Sequence, residues 1–102
     1  MKKKKTGKSA MDSALDYLTS RPRTVREMDN YLDGQNYGEY EVYAAVERLK
    51  ELIYLDDVRY AADFVSTRLA TKPLSRRKLK EQLRTHYLSA DDIDAAMEQV
   101  TD

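Results

Sequence analysis

The chain matches itself at one constant offset, residue number plus 51, with no gap. Pro22 falls on Pro73 and Arg21 on Lys72. Thr24 falls on Ser75, and both are hydroxyl residues of the kind that cap helix N-termini. Met28 and Leu32 fall on Leu79 and Leu83; Val42, Ala45 and Val46 on Ile93, Ala96 and Met97; Ala14 and Leu18 on Val65 and Leu69. Breakers, caps and apolar positions all agree at one register, which accidental periodicity in a helical sequence rarely produces. The chain therefore reads as two copies of one unit. Such units bury faces on neighbouring copies, so a short, elongated or curved helical array is expected. Thr101 and Asp102 fall on Lys50 and Glu51, a few residues before a further copy would begin. The outer face of the last helix is thus an expected surface for weak self-association of an otherwise monomeric protein.

Each unit reads as three helices, giving an all-α fold of six. Met11, Ala14, Leu15 and Leu18 recur at helical spacing and predict a first helix that stops near Ser20, before Arg21-Pro22. Thr24 with Glu27 is a capping box opening a second helix with Val25, Met28 and Leu32 inward, and Gly34 suits its left-handed end. A third carries Val42, Ala45, Val46, Leu49 and Leu52. Asp56 caps a fourth, showing Val58, Ala61, Phe64, Val65 and Leu69 and ending before Lys72-Pro73. Ser75 caps a fifth with Leu79 and Leu83; Ser89 caps a sixth with Ile93, Ala96, Met97 and Val100. The expected organisation is a flexible basic tail over 1–9, a first repeat over 10–53 and a second over 54–102.

Composition removes most chemistry. With 102 residues, no Cys and one His, there is no disulfide framework, no thiolate metal site and no His cluster. His86 has no nucleophile near it in sequence, and no Gly-rich phosphate loop, GxSxG elbow or HExxH pair occurs. No cofactor and no enzymatic activity are expected. The basic start, Lys2 to Lys5 and Lys8, is followed by Ser9, Ala10, Met11 and Asp12 and not by an apolar run, so it reads as a solvated tail and not as a signal peptide. No stretch is long and apolar enough for a membrane span, and a cytoplasmic location is expected.

Tyr54-Leu55-Asp56-Asp57-Val58-Arg59-Tyr60-Ala61 resembles the Gly-Tyr-Leu-Asp-Asp-x-Arg-Phe-Ala motif of the RecX family, regulators of the recombinase RecA. Ala14-Leu15-Asp16-Tyr17-Leu18 followed by Arg21-Pro22-Arg23-Thr24 and Glu27 looks like that family's first repeat. Ala45-Val46-Glu47-Arg48-Leu49-Lys50-Glu51-Leu52 resembles its third helix, and Arg76, Leu79, Leu83 and Asp92-Ile93 its second repeat. The resemblance covers roughly residues 10 to 100. It implies a protein that binds along the groove of the RecA–DNA filament and limits ATP hydrolysis, filament growth and strand exchange in recombination, DNA repair and the SOS response. Ile53 stands where the family usually has Gly, and family members usually carry three repeats. Leu55, Asp56, Asp57, Arg59 and Tyr60 read as a structural signature, the two carboxylates explained by a helix N-terminus.

The net charge is zero, with 18 basic and 18 acidic residues, but the charges are segregated. Lys72, Arg76, Arg77, Lys78, Lys80 and Arg84 face only Glu81 as an acid between 72 and 84. Arg76, Lys80 and Arg84 form one stripe at i, i+4, i+8. Arg21, Arg23 and Arg26 make a smaller cluster at the corresponding corner of the first repeat, suggesting a continuous basic edge. Such stripes meet phosphates or an acidic protein surface, so these residues are the filament and DNA candidates, with weak direct DNA contact. Glu39 to Asp63 is acidic. Among eight tyrosines, Tyr40 and Tyr43 lie off the apolar stripe and are candidates for an exposed contact, whereas Tyr17, Tyr31, Tyr37, Tyr54, Tyr60 and Tyr87 read as core or boundary residues. Two alternatives stand beside the filament reading: a small helical nucleic-acid-binding module acting without RecA, and a degenerate repeat protein that only self-associates.

Overall fold

The structure, a computed structural model, describes residues 4–72 and 74–101. Lys2 and Lys3 of the basic tail, Pro73 of the Pro22–Pro73 match, and Asp102 lie outside the described residues. Six helices form and no strand is present among the described residues: α1 (Ala10–Leu18), α2 (Val25–Gly34), α3 (Glu39–Glu51), α4 (Asp57–Thr71), α5 (Arg76–Thr85) and α6 (Ala90–Met97). They fall into two compact units, Met1–Leu55 and Asp56–Asp102.

Side-chain caps start five of the six helices. Thr24 Oγ1 accepts from the Glu27 amide while Glu27 Oε1 accepts from the Thr24 amide, completing the expected capping box. Asp56, Ser75 and Ser89 accept from the amides of Arg59, Lys78 and Asp92, each three residues on. Ser9 does the same for Asp12, a cap the apolar pattern did not single out. α3 begins at Gly38, whose amide donates to Glu41 Oε1 at 3.4 Å.

The helix ends correct one expectation. Gly34 is still helical, and the left-handed residue is Asn36, at φ 66°. α2 runs on until the Asn36 amide meets Asp33 O (2.9 Å) and the Tyr37 amide meets Leu32 O (3.4 Å), a Schellman closure. Tyr87, at the offset position after α5, has φ 63°. α3 closes the same way through Ile53 (φ 62°), with Ile53 N to Lys50 O at 3.0 Å and Tyr54 N to Leu49 O at 2.9 Å. Asn tolerates this region; a β-branched residue is strained in it by about 1–2 kcal/mol. Ile53 is exposed, so it recovers little by burial. Ile53→Gly is therefore expected to raise stability by about 1 kcal/mol, net of the extra unfolded-state entropy of Gly, in urea melts.

The repeat register extends into the packing. The second core holds Ala61, Val65, Leu79, Leu83, Leu88, Ile93, Ala96 and Met97, and each has its offset partner buried in the first: Ala10, Ala14, Met28, Leu32, Tyr37, Val42, Ala45 and Val46. Leu49 and Leu55 add to the first core. Where the second unit has Phe64 and Leu88, the first places Ser13 and Tyr37, whose hydroxyls lie 2.6 Å apart in the interior. The Tyr37 hydroxyl also donates to Lys8 O at 2.7 Å. Lys5 N reaches Gln35 O, Lys4 pairs with Glu41, and Lys8 pairs with Asp16, so residues 4–9 run along the first unit.

Four apolar residues assigned inward by periodicity, Leu15, Leu52, Val58 and Leu69, are exposed. α4 has 15 residues against 10 for α5 and 8 for α6, and Val58 and Leu69 lie in its first and last turns. Tyr54 and Tyr87, read as core or boundary, are exposed as well. Both sit at left-handed helix exits (Tyr87 is the left-handed residue itself), where the chain turns outward.

Candidate nucleic-acid interface

The basic stripe is built on α5. Leu79 and Leu83 are fully buried and fix the helix's inward face. Arg76, Lys80 and Arg84 then occupy an adjoining ridge. Arg76 is already engaged: its Nη1 donates to Val100 O at 3.1 Å, tying the α5 start to the residues after α6. Arg77 Nε pairs with Glu81 at 3.2 Å along the helix. Among the described residues no acid pairs with Lys80 or Arg84. Lys80 is half-buried along its stem and Arg84 is exposed. Lys72 caps the C-terminus of α4, exposed. Arg68, not singled out from the sequence, lies 4.8 Å over the Phe64 ring and donates to Gln82 Oε1 at 3.2 Å. Its partners are 4 and 14 positions away, and only the latter needed the fold to be seen.

The first unit does not repeat this surface. The offset carries Arg76, Lys80 and Arg84 onto Val25, Asp29 and Asp33. Only the helix start keeps its sign, with Arg21 and Arg26 exposed at the positions of Lys72 and Arg77. Burial pushes the Asp29 carboxyl above the usual carboxylate range, opposed by Arg26 and Lys50. Arg23 is spent on packing: its guanidinium lies 3.8 Å over Tyr17, whose ring stacks on Tyr31 at 3.8 Å, and Nη2 donates to Ser20 at 2.8 Å. The two arginine clusters are therefore equivalent at one corner only, and the basic i, i+4, i+8 ridge belongs to the second unit.

The signature residues have structural roles. Leu55 is buried in the first core. Asp56 caps α4 and Asp57 stands in its first turn. Arg59 pairs with Asp63 on its own helix at 3.7 Å, both exposed. The Tyr60 hydroxyl meets His86 Nδ1 at 3.1 Å, with the His86 ring also against Phe64. Tyr40 and Tyr43 are 80% and 63% exposed, as their register predicted. Among the described residues no three His, Asp or Glu side chains gather as a metal site, and no helix is long and apolar enough to cross a membrane.

Comparison with known proteins follows the same two-unit division. Residues 10–49 match the family described as RecX, first three-helix domain, and residues 56–97 match RecX, second three-helix domain. The chain belongs to the RecX family. It is 34% identical over 93 residues to Regulatory protein RecX of Lactobacillus delbrueckii subsp. bulgaricus, covering 91% of this chain and 34% of that one. It is 30% identical over 95 residues to Regulatory protein RecX of Bacillus pumilus, covering 93% and 36%. The crystal structure of RecX from Lactobacillus salivarius superposes with a TM-score of 0.87 at 23% identity, over 90% of this chain and 60% of that one. A second solved structure, of regulatory protein RecX, gives 0.82 at 29% identity, over 90% and 46%. The chain thus spans about a third of the length of the curated RecX relatives it matches. These relatives are named as regulatory proteins.

Proposed function

We propose that this RecX-family chain binds the RecA filament on DNA and inhibits its ATPase, filament growth and strand exchange, acting in the cytoplasm during recombination and DNA repair. The observation that carries the reading is the succession of both RecX three-helix domains in family order along one chain. Lys80 and Arg84 provide the contact to the phosphates of the filament's DNA, being cations on one helix that no acid among the described residues pairs with. Lys72, Arg21 and Arg26 add long-range attraction, and Arg77, paired with Glu81 at 3.2 Å, adds less. Arg76 and Arg23 contribute through the fold of each unit.

The deciding experiment is RecA ATPase on single-stranded DNA with the chain added in increasing amounts. A fall in ATPase is expected at protein concentrations that produce no electrophoretic shift of naked DNA. Undiminished ATPase at saturating protein overturns the RecA reading. Tight, salt-sensitive binding of naked DNA without RecA would instead make the protein a nucleic-acid-binding module in its own right.

A further inference from the structure

The two units differ on the face where their first and third helices meet. In the second unit Gln99 closes that face: its Nε2 donates to Ala62 O at 3.0 Å and its Oε1 accepts from Ser66 at 2.6 Å. The offset places Arg48, Met11 and Leu15 at these three positions in the first unit. None reproduces the closure. Arg48 turns along its own helix to Glu51 at 3.1 Å, and an open apolar groove of about 380 Å³ remains, lined by Met11, Tyr40, Glu41, Ala44, Ala45 and Arg48.

Tyr40, Ala44 and Arg48 are all exposed and four residues apart, so they form one ridge of α3 with an alanine at its centre. A second α3 laid antiparallel across Ala44 brings Ala44 onto Ala44, and Tyr40 of each copy onto Arg48 of the other. The ridge is therefore complementary to itself under a two-fold axis. The small central residue permits close approach of the helices. The guanidinium of one copy meets the 80% exposed ring of the other, with the Glu41 carboxylate beside it. The competing pairs, Arg48–Glu51 at 3.1 Å and Lys4–Glu41 at 2.9 Å, are solvent-exposed and cost little to exchange. The corresponding ridge of α6 reads Asp91, Ala95 and Gln99, with an acid at one end, no cation at the other, and its glutamine already engaged.

We propose that the first unit's α1/α3 groove is a homodimer interface, two copies of this chain pairing through antiparallel α3 helices centred on Ala44. The surface is small and partly charged, so the dimer is weak, with a Kd on the order of 10–100 µM.

Sedimentation equilibrium of the full chain across that range tests it. Reversible dimerisation is expected, and a strict monomer well above the range overturns the proposal, as it would if a different amphipathic helix were the groove's partner. Ala44→Glu, at an exposed position that leaves both cores intact, is expected to raise the Kd at least tenfold with the helical CD spectrum unchanged. A dimer that survives Ala44→Glu, or one broken by Ala95→Glu on α6, overturns it in favour of another face. The chain has no Cys, so single substitutions report directly. Ala44→Cys is expected to oxidise to a disulfide dimer much faster than Ala95→Cys, and equal rates overturn the geometry.

Discussion

Leu83→Ala is expected to lower the thermal midpoint of the chain by 10 °C or more, while Leu69→Ala changes it little. Both leucines carry the same helical periodicity, but Leu83 is fully buried between helices and Leu69 is 39% exposed at the end of α4. Truncating Leu83 removes its isopropyl group and leaves a cavity in the core it shares with Val65, Leu79 and Ile93, and such truncations cost about 2–5 kcal/mol. Among the described residues the second core holds eight buried side chains, so there is little stability to absorb the loss. In domains of this size each kcal/mol moves the midpoint by roughly 4–8 °C, which gives the expected shift. Leu32→Ala, the offset equivalent, is also fully buried and should be as costly in the first unit. The measurement is CD-monitored melting of the three variants. A Leu69→Ala cost equal to that of Leu83→Ala would mean that periodicity, and not the observed burial, decides which residues form the core.

That contrast shows where the sequence is legible and where it stops. Every buried residue of the second core has a buried partner in the first at the single offset visible in the sequence, because homologous units pack homologous positions. N-caps were readable for a similar reason: Thr24, Asp56, Ser75 and Ser89 act over three residues, within reach of local pattern. Depth of burial was not readable. Periodicity marks a face of a helix but not how far the neighbouring helix extends along it, so Val58 and Leu69 at the ends of α4 were placed inward. The left-handed exit after α2 escaped because α2 ends on Gly34 itself and the chain turns at Asn36, two residues on, where the amides of Asn36 and Tyr37 meet the carbonyls of Asp33 and Leu32.

The candidate site divides along the same line. The α5 ridge was visible as a stripe, since i, i+4 spacing on a helix is local. That Arg76 binds Val100 O, and that Arg23 stacks on Tyr17, depends on contacts across the unit. The contrast between Lys80 and Asp29, or Arg84 and Asp33, was present in the offset register itself. It denies the first unit the continuous basic edge that the arginines at its corner suggested. The open groove beside Arg48 needed the structure, because only there does Gln99 show what closure looks like.

Reversing Lys80 and Arg84 together to Glu is expected to remove most of the inhibition of RecA ATPase while leaving the fold in place. These two, and not Arg76, are the residues to change: Arg76 holds the residues after α6, so its loss would confuse binding with packing. Arg84 lies in the last turn of α5, where a cation favours the helix dipole, so its reversal costs the helix up to about 1 kcal/mol. That is far less than a core truncation, and the CD spectrum should be retained. Each cation that neutralises a phosphate contributes about 0.7–0.9 to the slope of log affinity against log salt. Loss of two such contacts should flatten that slope for filament binding by about 1.5 and weaken binding at low salt by at least an order of magnitude. Arg77→Glu is the matched control, since Arg77 is already neutralised by Glu81 at 3.2 Å and its change should affect affinity far less. Full inhibition by the doubly reversed chain, with an unaltered salt slope, would exclude the α5 ridge as the phosphate contact and move the interface elsewhere on the protein.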